Sequence, residues 1–430
     1  MAAEWTNWAG DQRCLPARIE TPSGRAELIE AVARATAEGL TVRAVGHGHS
    51  FTDVACTGGV LLDMRRLSRV LDVDREAGLV KVESGIGLRP LNETIWGHGL
   101  ALENLGDIDK QTISGAVSTG THGTGSRFRN FSSQVEALEL VLADGTLHEV
   151  SAADPDQLRA ARIAMGSLGV IATVTLRTIP SFSIRRLDSP LPLDETLSRL
   201  DDLADGSDHF EFYAFPHTRT ALLRQSERTD EEPRPRNPVT RFANDVVAEN
   251  WVMGGIARLG RSFPRRIPAL ARFVSERVGR TTTLDRSYRV YASQRRIRFT
   301  EMEYAIPRRH AREAVSAVLD AAEHADPGVG FPIEVRFVAG DDSMLSPAYE
   351  RDTTYVAVHQ YRGMAWESYF RAVEEIMDPL GGRPHWGKRH FQTAETLAER
   401  YPEWEDFKRT RELLDPEASF RNEYLDRVLG

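Results

Sequence analysis

Cysteine is nearly missing from this sequence: 430 residues hold only Cys14 and Cys56. Two are too few for a disulfide framework and fit a reducing compartment, so a cytoplasmic location is the expectation. Long apolar runs are missing too. No stretch reaches the roughly 18–20 residues a membrane-spanning helix requires. The opening "MAAEWTNWAGDQR" has neither the basic start nor the apolar core of a signal peptide. Positive charge is not in surplus either: 54 Lys and Arg stand against 63 Asp and Glu, a formal net charge of −9. That balance argues against nucleic acid as a partner, because phosphate contacts need a basic face. Internal repeats and low-complexity tracts are absent. What is present is a globular composition, 41% hydrophobic and 27% charged. At this length two domains are expected.

Residues 24–38 place Leu28, Ile29, Val32 and Ala35 at helical spacing. Gly39 stops that helix, and "LTVRAV" (40–45) reads as a buried strand. Short β-like runs follow at 59–64, 69–74 and 79–85, then a helix over 87–97. Residues 113–125, "ISGAVSTGTHGTG", read as a loop rich in Gly, Ser and Thr. Residues 135–151 carry a hairpin signal around Asp144-Gly145. A long strand over 167–180 ends at proline, and "SFSIRRLDSPLP" after it reads as a domain boundary. Residues 230–241 read as a Pro-rich surface loop. Seven arginines against one glutamate in 258–280 read as a solvated surface, with an anionic partner or membrane face as the alternative. Strands at 298–307, 331–342 and 353–363 alternate with helices at 309–325 and 365–381. That alternation predicts a second α+β unit on an antiparallel sheet.

The stretch with most chemistry is "AVGHGHSFTD" (44–53). Three readings compete for it. His47 and His49, two apart after a strand, suit a metal-dependent hydrolase with His122 as a third ligand, but Asp53 is the only acid nearby. A Rossmann turn fails because Phe51 stands where the third glycine belongs, and no strand-helix-strand unit surrounds it. The third reading joins two glycine-rich loops, 46–50 and 115–125, as a cradle for the anionic middle of a long cofactor. Gly115, Gly120, Gly123 and Gly125 permit close approach, and Ser118, Thr119 and Thr121 add hydroxyl donors. Were that cofactor a flavin, one histidine could carry it covalently.

"GHGHSFTDVACTGGVLLDM" and "GAVSTGTHGTG" resemble the FAD-binding domain of the vanillyl-alcohol oxidase superfamily. The endings "RPHWGKRHFQTAETLAERYPEW" and "LDPEASFRNEYLDRVLG" are similar to its aldonolactone oxidoreductase branch. The resemblance runs over essentially the whole chain. It implies an α+β protein of two domains: a PCMH-type FAD-binding domain (1–180) and a substrate domain with an antiparallel sheet (181–395). A C-terminal segment (396–430) packs back on the first.

The resemblance also implies site residues. His49 would carry the flavin covalently, with His47 structural. Val45, Gly46, Gly48 and Ser50 would hold the pyrophosphate from one side. Ser114, Gly115, Ser118, Thr119, Thr121, His122, Gly123 and Gly125 would line the other, and Ile171 would meet the adenine end. Glu334 and Arg336 of "IEVR" would face substrate and flavin, Lys388 of "HWGK" would be a second cation, and His359 is a further candidate. Gly106 would lie beside the flavin, where glycine permits reaction with O2. Asp107 and Gln360 would touch substrate, and both depart from the alditol oxidase pattern, tilting the expectation toward a lactone. The implied reaction is hydride transfer from a carbinol carbon of an aldono-1,4-lactone, L-gulono or D-arabinono in type. Electrons would pass on to O2 or another acceptor. The implied alternative is alditol oxidation yielding hydrogen peroxide. No metal is expected.

Overall fold

The computed structural model describes residues 3–235, 260–292, 297–326 and 328–430. Part of the expected Pro-rich loop (236–241), and Arg258 of the arginine-rich stretch, lie outside them.

The N-terminal half carries two larger sheets, of three and five strands. Val60–Asp63 runs parallel to Arg18–Glu20 on one side and Val42–Val45 on the other. The helix Arg25–Ala37 links the two flanking strands and buries Leu28, Ala31, Val32 and Ala35, the positions its 3.6-residue spacing puts on one face. A five-stranded antiparallel sheet follows in the order Leu147–Ser151, Val135–Val141, Val170–Arg177, Leu79–Glu83, Val70–Asp74. The expected hairpin is its edge, with Leu147 opposite Val141.

The second half is an eight-stranded antiparallel sheet. Its order is Thr281–Arg286, Ser183–Pro192, Thr220–Thr229, His209–Ala214, Ile333–Val338, Thr353–Tyr361, Phe299–Pro307, Arg383–Pro384. Period-two alternation divides its faces. Met302, Tyr304 and Ile306, with Ile333, Val335, Phe337, Val356 and Val358, bury into one apolar cluster beneath the helices Ala311–His324 and Glu367–Met377. Each such side chain contributes roughly 1.5–3 kcal/mol by leaving water. The alternate residues, Glu301, Glu303, Glu334, Arg336 and His359, fall on the opposite face, toward the first half.

One expectation needs correction. Ile113–Ser118 is a short helix and not part of an open loop, because Ile113, Ala116 and Val117 share a buried face. At the expected boundary, Ser183–Pro192 is itself a strand of the large sheet. Its neighbour Thr281–Arg286 pairs only with residues 183–188, so Pro190 and Pro192 occupy a stretch paired on one side, where proline forfeits no ladder bond.

Leu397, Tyr401, Trp404, Phe407, Tyr424 and Val428 share a core with Val80, Leu88, Ile113 and Leu138. Arg43 fastens this end of the chain. Fully buried, it donates to Phe420 O (2.8 Å), Met165 O (2.6 Å) and Val54 O (2.6 and 3.0 Å). Burial lowers its pKa to about 10, so the guanidinium stays charged and is satisfied by carbonyls alone.

Candidate active site

The strand Val42–Val45 delivers the glycine–histidine turn. Gly46 must lack a side chain: a Cβ there would sit 2.1 Å from Thr112 Oγ1. Gly48 has φ +66°, a left-handed conformation that glycine takes without penalty. An N-terminal strap, Trp5–Thr6 paired with Arg13–Cys14, lies over the turn. Trp8 N donates to Gly48 O (2.8 Å) and Asn7 Nδ2 to Ser50 O (2.9 Å). The Trp8 ring stacks on His49 with centroids 5.3 Å apart. From the far end of the chain, Gly387 O accepts from Phe51 N (2.8 Å). His47 is exposed, at the rim of a hollow beside the turn.

Two hollows meet at this turn. The first holds about 930 Å³ of unfilled space between residues 45–50 and Ser114, Gly115, Ser118 and Thr119, with Ile171 at its wall. The second holds about 1000 Å³ and is walled by Thr121, His122, Asp107, Arg336, Glu301, Glu303, His385 and Lys388. His49, Ser50, Gln111 and Thr119 line both, so the hollows form one elongated cleft with His49 at the waist. A long cofactor with a pyrophosphate in the narrow glycine-lined part and a ring at the waist fits that shape. Its two walls of small and hydroxyl side chains leave room for backbone to approach an anion.

Gly106, Gly123 and Gly125 line neither hollow, and packing explains each. A Cβ on Gly123 would lie 2.3 Å from Leu105 O, and one on Gly125 2.5 Å from Asp208 O. A Cβ on Gly106 would lie 2.9 Å from Thr121 Cγ2.

The polar face of the large sheet closes the second hollow. Arg336 reaches it and is held by three carboxylates: Asp107 (3.0 Å), Glu211 (3.2 Å) and Glu334. Burial alone would lower its pKa, but Asp107, Glu334 and Glu211 raise it well above the ordinary value. Glu334 sits behind Arg336, buried, and accepts from Tyr213 Oη (2.8 Å). Lys388 pairs with Glu301, its Nζ 5.2 Å from the centre of the Phe51 ring. His359, opposite Glu301 in the sheet, places Nε2 3.5 Å from that carboxylate. Gln360 points to the other face, into a separate apolar hollow with Ile267 and Phe331; alternation along the strand separates it from its neighbour.

Sequence reasoning missed Glu301, Glu303, His385 and the strap. The signal for the first two was the E-x-E spacing in "FTEMEYAIP" (299–307), which puts both on one face. His122, Glu303 and His385 lie close enough to share an ion and are all buried. His122 Nε2 is 3.1 Å from Glu303 Oε1, and its Nδ1 is 2.9 Å from Gly123 O. Burial would raise the Glu303 carboxyl, but His122, Lys388 and His385 hold it down to about 2. His47 and His49 belong to no such three-residue group among the described residues. Burial, with His47 and Lys388 adding repulsion, lowers His49 to about 4. Its imidazole is neutral near pH 7.

Residues 16–151 match the family described as FAD binding domain, and residues 174–428 match D-arabinono-1,4-lactone oxidase. An L-gulono-1,4-lactone dehydrogenase of Mycobacterium tuberculosis (strain ATCC 25618 / H37Rv) is 52% identical, with all of both chains covered. The L-gulonolactone oxidase of Mus musculus is 35% identical over 99% of this chain and 98% of its own. A solved cholesterol oxidase from B. sterolicum superposes with TM-score 0.84 at 15% identity, over 99% of this chain and 96% of that one, a likeness of fold. The chain therefore belongs to the D-arabinono-1,4-lactone oxidase family and is an FAD-dependent α+β oxidoreductase.

Proposed function

We propose that the protein oxidises an aldono-1,4-lactone, of the L-gulono or D-arabinono type, at the hydroxyl-bearing carbon beside the lactone carbonyl. The product would be of the ascorbate type. The observation that carries this reading is that Arg336 and Lys388, each held by carboxylates, stand with Lys110 in the wall of one hollow that opens at His49. Residues 45–50 with Ser114, Gly115, Ser118 and Thr119 would hold FAD, which would supply a two-electron acceptor for the carbinol hydride and pass the electrons to O2 or another redox acceptor.

The chain's part is to orient and polarise. Arg336 donates to the lactone oxygens, and Lys388 steadies the reacting oxygen as its proton departs, where a desolvated cation is most effective. Glu334 and Glu211 act through Arg336 by fixing its fork, and His359 acts through Glu301. Asp107, the carboxylate of the Arg336 group that lines the hollow, accepts from substrate hydroxyls. Its bond to Arg336 tightens that end and favours a compact ring over an open-chain polyol. The neutral His49 nitrogen at the waist supports covalent attachment of the flavin. The core shared by 397–428 and the N-terminal sheets supports dividing the chain into 1–180, 181–395 and a returning 396–430. The scarcity of cysteine supports a cytoplasmic location, and no helix among the described residues is long and apolar enough to cross a membrane.

Anaerobic mixing with L-gulono-1,4-lactone, D-arabinono-1,4-lactone and xylitol tests the substrate. Lactones should bleach the flavin absorbance; bleaching by xylitol alone would reject the reading. Acid precipitation tests the attachment: yellow colour should stay with the pellet and leave it in His49→Ala.

A further inference from the structure

Cys14 and Cys56 are the only cysteines of the chain, 42 positions apart, yet the fold sets them together. Cys14 ends the second strand of the strap, and Cys56 lies on the loop that follows the glycine–histidine turn. Contacts on both sides bracket the pair. Gln12 Nε2 donates to Phe51 O (2.9 Å), and Ala17 N donates to Gly58 O (3.0 Å) and Gly59 O (2.9 Å). Segments 12–17 and 51–59 therefore run side by side, with one cysteine inside each. Cys56 is anchored further by its own N–H to Asp53 O (2.8 Å) and by Asn422 Nδ2 on its carbonyl (2.8 Å). Its thiol lies against that of Cys14, and burial together with this neighbour pushes its pKa up. Both residues are partly exposed to solvent, so a small oxidant can reach them.

We propose that Cys14 and Cys56 form a reversible intrachain disulfide that clasps the N-terminal strap onto the glycine–histidine loop. The oxidant is a hydroperoxide, hydrogen peroxide being the simplest. One sulfur attacks the O–O bond and becomes a sulfenic acid, releasing water. The second sulfur displaces the sulfenic oxygen as another water, and the S–S bond forms. Two thiol hydrogens and two electrons leave the protein, and one peroxide becomes two waters. With no third cysteine, neither sulfur has a competing intrachain partner. The clasp acts where the strap meets the site, since the strap supplies Trp8 against His49 and Asn7 on Ser50 O. The inference stands on the thiol pair and its bracketing contacts, whatever the substrate.

The test uses the FAD-loaded full chain treated with hydrogen peroxide, quenched, unfolded and alkylated. Alkylatable thiols should fall from two to none, and the intact monomer should lose the mass of two hydrogens. Trypsin should then release residues 14–18 joined to residues 44–65, and dithiothreitol should restore both thiols. The thermal midpoint should rise on oxidation in the native sequence and not in Cys14→Ser. Two surviving thiols, separate sulfinic acids on each sulfur, or peroxide-induced dimers on a non-reducing gel would each overturn the disulfide. A bond that forms without raising the midpoint would overturn the clasp.

Discussion

Asp107 and Arg336 meet at 3.0 Å across the two halves of the chain. Asp107 comes from the connection ahead of the helix Ile113–Ser118, and Arg336 from the middle of the large sheet. Their side chains retain 22% and 7% exposure, and Asp107 keeps the larger share beside the hollow. Replacing Asp107 with Asn preserves shape and removes one charge from the group around Arg336. A hydrogen bond to a charged group contributes about 1.5–3 kcal/mol. KM for the lactone is thus expected to rise about tenfold or more in Asp107→Asn, with FAD content unchanged. Steady-state kinetics beside the flavin absorbance of the purified variant checks this.

Lys388 and Glu301 form a second pair in the same wall. Lys388→Met keeps the stem over Phe51 and deletes the charge. Loss of one donor aimed at developing negative charge typically costs about 10²–10³ in rate. The flavin reduction rate should fall by that much in stopped flow while lactone KM changes little. Glu301→Gln should give a smaller loss, because Lys388 remains in the wall and loses only its tether.

Gly46 is the position where the cradle is tightest. An alanine Cβ would lie 2.1 Å from Thr112 Oγ1, whereas a Cβ on Gly58 meets nothing within 4 Å. Gly46→Ala should cut bound FAD at least about tenfold, since the turn must move to relieve the contact. Gly58→Ala on the same loop should stay within about 0.5 kcal/mol of native stability. Flavin-to-protein absorbance ratios and urea midpoints separate the two.

His209 gives the fold a pH dependence. Its Nδ1 lies 2.7 Å from Thr124 O and its Nε2 2.9 Å from Tyr291 Oη, a donor and an acceptor role that suit the neutral ring. Burial lowers its pKa to about 4. Well above pH 6.5 neither the native nor the unfolded histidine is charged, and it contributes almost nothing to pH dependence. As pH falls from about 6.5 to about 4, the unfolded chain binds a proton that the native ring refuses, so stability declines. His209 alone accounts for on the order of 3 kcal/mol by pH 4. His385, lowered to about 3 by burial, adds in the same direction. Urea midpoints between pH 7 and pH 4 should drop in the native chain and drop less in His209→Asn.

The glycine–histidine loop was legible in the sequence because its chemistry comes in short runs: residues 45–50, with Ser114, Gly115, Ser118 and Thr119, line one hollow. The helices at 25–37 and 311–324 were legible from spacing alone. The acid wall was not. Glu301 and Glu303 gain meaning only when the strand Phe299–Pro307 lies beside Thr353–Tyr361 and against residues 385–388, a pairing of distant segments. Gln360 failed for the opposite reason, since its neighbour His359 takes the polar face and strand alternation sends the glutamine away. Gly123 and Gly125 carried a true signal for tight approach, but the approaching groups are Leu105 O and Asp208 O.

The strap has a consequence for biosynthesis. Residues 5–14 leave the ribosome long before Gly387 and Lys388, which line the same hollow as Trp8. A nascent chain can fold its parallel sheet early, but the second hollow stays open until residues 385–388 have been made. Chains truncated before residue 385 should therefore yield colourless protein even where the glycine–histidine loop is intact.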